Sequence, residues 1–399
     1  MWTILIIFLF CFSVYLSVKL KFQNYKINIK ELIRNDKTSL YLTLGTKVGV
    51  GSVIGTTSSI IIGGFSSVIW IILFSILTTS IIYYEAYLGR KNRVKLNNDY
   101  IGGPNFIVKN KLLSFISLIL LLLIYTFMFQ MIQMNTISNM ILLNVNISKK
   151  LILIVFLIIL LVTINLKIKE ILNIMNKIVP IMCLFFIVIC LYGIISNYDI
   201  LFSSIEVYLK DIFSIKSILC GMIIGIKRSI FMNELLIGTT SLSASTDKND
   251  INISIKYQIL SIFFITITMT LLISSLILIY IYNNPIINDY NLLINNIFHT
   301  TYGSIGTLFL IIILILFGFT TILSGFYNKS IAFAYANGVF EDSNGKSKLI
   351  LNIFKLLFIV VTLSGIIINN FFIWKYLDNL IFIMIIINSY SIIKSLGSD

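Results

Sequence analysis

The chain has 399 residues, 58% of them hydrophobic and 12% charged, with a mean hydropathy of +0.99. No soluble domain of this length can enclose so much apolar surface, so a bilayer must act as the solvent. The net charge of +14 does not indicate nucleic acid, because the basic residues alternate between loops instead of forming one patch. From the N-terminus onward, apolar runs predict eleven spanning helices: 2–18, 39–62, 67–89, 112–141, 150–166, 174–196, 218–240, 254–282, 303–335, 348–369 and 372–392. Each is near the ~20 residues a bilayer core requires. The first is too long and too aromatic for a signal-peptide core and lacks a basic start, so it reads as a retained helix. Continuous apolar runs exclude a barrel, whose strands would alternate. The expected class is an all-α integral membrane protein.

Basic residues set the sides of the membrane. The loop after the first segment carries Lys19, Lys21, Lys26, Lys30, Arg34 and Lys37, and that after the third carries Arg90, Lys91, Arg93, Lys95, Lys109 and Lys111. The connections 63–67 and 283–302 carry no Lys or Arg. The N-terminus is therefore expected outside and the C-terminus in the cytoplasm. Without the first helix, ten segments remain, and they divide as five plus five of opposite orientation. The predicted organisation is an extra helix with a basic cytoplasmic loop (1–38), a first five-helix repeat (39–217) and a second (218–399).

The opening helix of each half is interrupted near its middle, by GTKVGVGSVIG (45–55) and by GIKRSIFMNELLIG (225–238). Paired interruptions are the best sequence pointer to a transporter's binding site. Each glycine costs about 1 kcal/mol in a helix interior, and unpaired backbone groups in hydrocarbon need partners. Freed amides suit a carboxylate and freed carbonyls suit Na⁺. This selects Gly49, Gly51 and Ser52 for substrate, and the carbonyls of Val48 and Gly51 for sodium. Close helix packing through small residues is the competing account of these glycines.

Other intramembrane polar residues extend the candidate site. Gln133 and Asn135, in QMIQMNTISN (130–139), and Asn233 are expected to line the pocket. Thr320 and Thr321 offer adjacent hydroxyl oxygens, which a hard cation prefers, although back-bonding to helical carbonyls would also explain them. Lys47 must either snorkel to the inner headgroups or act beside the coupling cation. Arg228 and Glu234 do not stack on one continuous helix, but a break between them would let them pair as a gating or structural element. Glu85 ends the third segment beside a basic loop, where an ion pair is its expected role. The cysteines, Cys11, Cys183, Cys190 and Cys220, have no ligand-like spacing and read as buried hydrophobes. No nucleophile–base set, metal spacing or phosphate-binding loop is visible, so the chain reads as no enzyme and needs no cofactor. Transport would draw on an ion gradient, where one Na⁺ crossing 100 mV supplies about 2.3 kcal/mol.

Read together, these motifs resemble the alanine or glycine:cation symporters of the amino acid–polyamine–cation superfamily. The matching stretches are GTKVGVGSVIGT (45–56), GGFSSVIW (63–70), YIGGPNFIV (100–108), Gln133 with Asn135, IVP (178–180), GIKRSIFMNELLIGT (225–239), FGFTTIL (317–323) and the set Trp374, Asp378, Met384 and Asn388. The sequence departs from the family pattern at Ser52, Phe65, Ser229, Leu235–Leu236, Ile265 and Gly325.

The resemblance implies a five-helix inverted repeat in the cell membrane. It implies sodium-coupled symport of a small neutral amino acid, alanine or glycine, into the cell by alternating access, with Thr320 and Thr321 on the sodium ion. The altered residues leave room for proton coupling or another substrate. Leu235–Leu236, which could lock the second broken helix, leaves room for a substrate-binding sensor.

Overall fold

The computed structural model describes residues 2–96, 99–212, 215–337 and 346–397. In chain order, the helices are α1 (Trp2–Lys19), α2 (Ile29–Arg34), α3 (Thr38–Lys47), α4 (Val50–Gly63), α5 (Ser66–Leu77) and α6 (Thr79–Lys91). A two-stranded hairpin follows, β1 (Val94–Leu96) paired antiparallel with β2 (Asp99–Ile101). Then come α7 (Pro104–Ile107), α8 (Lys111–Leu122), α9 (Gln130–Asn144), α10 (Lys149–Thr163), α11 (Ile168–Ser196), α12 (Tyr198–Ile212), α13 (Ile215–Met232) and α14 (Thr239–Thr246). The last are α15 (Ile251–Ile262), α16 (Thr270–Asn283), α17 (Tyr290–Tyr302), α18 (Ser304–Asn337), α19 (Lys346–Ser364) and α20 (Asn370–Leu396). Wider π-helical turns, Leu123–Phe129 and Phe263–Met269, join α8 to α9 and α15 to α16.

Among the described residues, six helical stretches are long and apolar enough to cross a membrane. The pair α5 and α6, bent by 42° at Thr78, makes a seventh. The segments 39–62 and 218–240 are each two helices meeting at a break. Hydropathy did not reveal α12 and α17, whose polar and apolar residues average out along the chain. It also missed the small hairpin.

The outer surface, unlike that of a soluble protein, is apolar, and the interior mixes a large hydrophobic core with many buried hydroxyls. Ile4, Leu73, Ile154, Ile181 and Leu356 face outward, where lipid would lie, while Thr56, Thr57, Ser59, Ser241 and Thr321 are buried. Buried hydroxyls are tolerated because most donate back to carbonyls three or four residues earlier, as Thr56 does to Ser52 (3.0 Å) and Thr57 to Val53 (2.9 Å). Helix α13 packs on α5 and α4, α14 on α6, and α18 on α9, α3 and α11, which brings both breaks to the centre of the bundle. Cys183 and Cys190 are buried as expected, whereas Cys11 and Cys220 lie on the outer surface.

Candidate functional site

At the first break, α3 stops at Lys47 and α4 starts at Val50. The Gly49 amide turns to Lys47 O (3.0 Å), and the Val50 amide donates to Gln133 Oε1 (3.0 Å). In a continuous helix those amides would serve the carbonyls of Gly45 and Thr46, so the break removes the usual donors of both. The break needs glycine because its neighbours come so close. A Cβ on Gly49 would stand 2.7 Å from Thr321 Oγ1 and 3.0 Å from Gln133 Nε2. Thr321 Oγ1 donates to Phe317 O (2.9 Å), which leaves its lone pairs for the break. Ser52 Oγ donates to Gly49 O (2.8 Å). Thr320 is turned elsewhere: it bonds Leu316 O and Phe317 O and lies 3.4 Å from Met182 Sδ on α11.

An aromatic column closes one side of this break. Phe231 lies against Gly51, where a Cβ would meet its ring at 2.8 Å. Phe231 packs on Phe129 (5.1 Å between centroids) and on Trp374 (4.6 Å), and Phe129 packs on Tyr125 (5.1 Å). Arg228 stacks over Trp374, 4.4 Å from the ring centre, and Lys227 pairs with Asp378 at 2.8 Å.

The second break turns through Glu234 and Leu236, both at positive φ (53° and 57°), into Gly238 (105°). Left-handed backbone at a non-glycine residue is uncommon and costs roughly 1–2 kcal/mol, so neighbours must enforce it. Glu85 does so. Its carboxylate accepts from the amides of Leu236 (3.2 Å) and Gly238 (3.1 Å), and Asn388 Nδ2 donates to Leu236 O (2.6 Å). The expected ion pair of Glu85 with the basic loop is thereby corrected: the side chain points inward and satisfies amides that no helix serves. The expected pairing of Arg228 with Glu234 is also corrected. Arg228 faces Trp374 and Asp378, while Glu234 faces Lys47, Tyr125 and Thr239. Lys47 does not snorkel. It is 4% exposed and reaches across to α14, with Nζ 3.4 Å from Thr240 Oγ1 and with Glu234 and Glu85 as its facing charges.

Of the pocket residues read from the sequence, Gln133, Gly49, Gly51 and Ser52 come together at the first break, with Val48 between its two helices. Asn135 does not join them. Its amide donates to Gly365 O (2.9 Å) and Ile368 O (2.8 Å), and its oxygen accepts from Asn139 (3.0 Å), so it ties down the end of α19. Asn233 turns to Ser75 Oγ (2.7 Å) and Ser229 Oγ (3.3 Å) and braces α13 against α5. Gly325 adjoins Gln130, whose amide fills the space beside it. Residues absent from the sequence-derived site but central here are Glu85, Tyr125 and Phe231. Glu85 stands at the end of its apolar run beside a basic loop, and Tyr125 and Phe231 are aromatics among aromatics, so no sequence signal singled them out.

A cavity of about 330 Å³ opens between α3, α11, α14 and α18, lined by Asp36, Ser39, Asn176, Thr246, Asp247 and Tyr327 among others. It lies on the side of the basic loops. There Arg90 and Arg93 hold the connection after α14 through the carbonyls of Asp247 and Asn249.

The model of the sodium:alanine symporter family matches residues 1–396. The chain belongs to that family. It is a multi-pass membrane protein of a family of sodium-coupled amino-acid symporters. Among curated relatives, it is 23% identical to the probable sodium/glutamine symporter GlnT of Bacillus subtilis, over 98% of this chain and 84% of that one. It is 22% identical to the amino-acid carrier protein AlsT of the same organism, over 88% and 75% of the two chains. An uncharacterized transporter of Haemophilus influenzae shows 24% identity over 88% and 74%.

Proposed function

We propose that this symporter carries a small neutral amino acid, alanine or glycine, into the cell with sodium by alternating access. The two five-helix units 39–217 and 218–399 form an inverted repeat of ten spans behind one extra helix, and the N-terminus lies outside. The observation that carries this reading is the first break, where released carbonyls, the Gln133 amide group and the Thr321 hydroxyl meet at one glycine. Carbonyls from that break and Thr321 Oγ1 supply the hard oxygen ligands that sodium prefers. The amides opening α4, of which that of Val50 donates to Gln133 Oε1, suit a carboxylate. Phe231, pressed on Gly51, favours a small side chain in the substrate.

A second substrate has one observation in its favour. It is the similarity to the probable sodium/glutamine symporter GlnT. Gly325, where the family resemblance expects tryptophan, opens no room for a longer side chain, because the Gln130 amide occupies that space. The test is uptake of labelled alanine, glycine and glutamine into proteoliposomes, with an inward Na⁺ gradient set against a matched K⁺ gradient. Concentrative Na⁺-dependent uptake of alanine or glycine supports the main reading, and preference for glutamine supports the second. Binding of any of them without movement points to a sensor, its second break locked by Glu85 and Asn388 around Leu236. No binding and no uptake overturns all three.

A further inference from the structure

Glu234 is 1% exposed, and neither of its carboxylate oxygens closes a hydrogen bond. Tyr125 Oη and Thr239 Oγ1 stand beside it, equally buried and equally without a hydrogen bond in good geometry. Four oxygens thus face one another at the second break, from α14, from the π-helical turn before α9 and from Glu234 itself. The charged and titratable groups facing them are Lys47 from α3, Glu85 from α6 and Tyr125. Glu85 already holds two backbone amides. Counted as charges, two carboxylates and one ammonium leave one negative charge in excess, in surroundings where unpaired charge is expensive. One further positive charge would balance the cluster. A sodium ion there would sit beside the Lys47 ammonium. A proton would instead let a carboxyl O–H donate to one of the two hydroxyls while its carbonyl oxygen accepts from the other.

Helix α14 offers a way in. Its sequence, TTSLSAST (239–246), is hydroxyl-bearing at all but two positions. Thr239, Ser243 and Thr246 recur at helical spacing along one stripe. Ser243 Oγ is buried and, like Thr239 Oγ1, makes no hydrogen bond. Thr246 lines the cavity on the basic side, and Ser39, which also lines it, lies 3.5 Å from Ser243 O. Hydroxyls donate and accept, so a stripe running from the cavity toward Glu234 spaces groups able to carry a proton along α14.

We propose that Glu234 is a proton-binding site, loaded from the basic-side cavity along Thr239, Ser243 and Thr246, and that the transporter moves a proton as well as sodium in its cycle. Only the coupling to transport rests on the symporter reading above; the site itself does not. Infrared spectroscopy of the reconstituted full-length protein therefore tests the site without requiring transport. A protonated-carboxyl band that shifts in deuterium oxide is expected in the wild type. It is expected to be lost in Glu234→Gln and kept in Glu85→Gln. In Ser243→Ala the band should persist but exchange with deuterium more slowly, by several-fold. That variant serves as the readout if Glu234→Gln does not fold. A wild type with no such band, a band that survives Glu234→Gln, or exchange unchanged in Ser243→Ala would overturn the proposal. Coupling is then read with a pH dye inside proteoliposomes, where substrate-driven pH change should accompany uptake and vanish in Glu234→Gln. Sodium-driven uptake with no infrared band removes the proton site and leaves the symporter. The band without uptake of any tested amino acid removes the symporter reading and leaves the site.

Discussion

At the scale of single residues, the first break makes the sharpest demands. Thr321 Oγ1 and the backbone of Gly49 are so close that a methyl group cannot fit between them. Thr321→Ala removes one proposed sodium ligand and is expected to raise the Na⁺ concentration for half-maximal uptake about tenfold, equivalent to about 1.4 kcal/mol. Thr320→Ala should change it far less, because Thr320 faces Met182. Equal effects of the two substitutions on sodium titrations of uptake would remove Thr321 from the ion. Asp247 offers a different test, since it lies in the connection between α14 and α15. Burial pushes its carboxyl above the usual range, against the Asn249 amide and the nearby Arg90. The folded state then binds this proton more tightly than the unfolded state, so ionisation costs stability as pH rises above the ordinary carboxylate range. Asp247→Asn should melt higher than the wild type at neutral pH, and the two melting curves should converge on acidification.

At the scale of elements, the breaks were legible where glycine and charge interrupted an apolar run. GTKVGVGSVIG announced the first, and Asn233 with Glu234 announced the second. Which side chains complete them was not legible, because the completing groups come from distant parts of the chain. Glu85 reads as the solvated end of α6 until the bend at Thr78 turns α6 onto α14. Asn135 and Gln133 are two residues apart, and a sequence reading assigns them together. On a helix that spacing turns them about 200° apart, so only Gln133 meets the break while Asn135 meets α19. The role of Glu85 as the anchor of α14 is measurable. Glu85→Ala leaves the Leu236 and Gly238 amides unpaired, each costing about 1–3 kcal/mol in a buried setting. A marked fall in melting temperature is expected, with Glu85→Gln intermediate because one carbonyl oxygen remains to accept. Wild-type stability in Glu85→Ala would show that another group serves those amides.

At the scale of the whole molecule, the two faces of the bundle differ in how they close. One side of the breaks is shut by the aromatic column from Tyr125 to Trp374, with Arg228 stacked on it and Lys227 paired to Asp378. The other side holds the cavity among α3, α11, α14 and α18. Such asymmetry is what one half of the proposed alternating-access cycle requires, and in the proposed topology the open side faces the cytoplasm. Sidedness is testable with cysteines introduced after Cys11, Cys183, Cys190 and Cys220 have been replaced. Asn173→Cys, at the cavity, should react with a membrane-impermeant maleimide only in inside-out vesicles. Thr300→Cys, on the exposed end of α17, should react only in right-side-out vesicles. Sodium with substrate should then slow labelling of Asn173→Cys several-fold as the cavity narrows, while the rate at Thr300→Cys stays the same. Labelling of both from one face would invalidate the assigned topology. Sidedness as expected with no response to sodium and substrate would leave the topology standing and remove the moving cavity, because a cycle that closes this vestibule must shield the residue lining it.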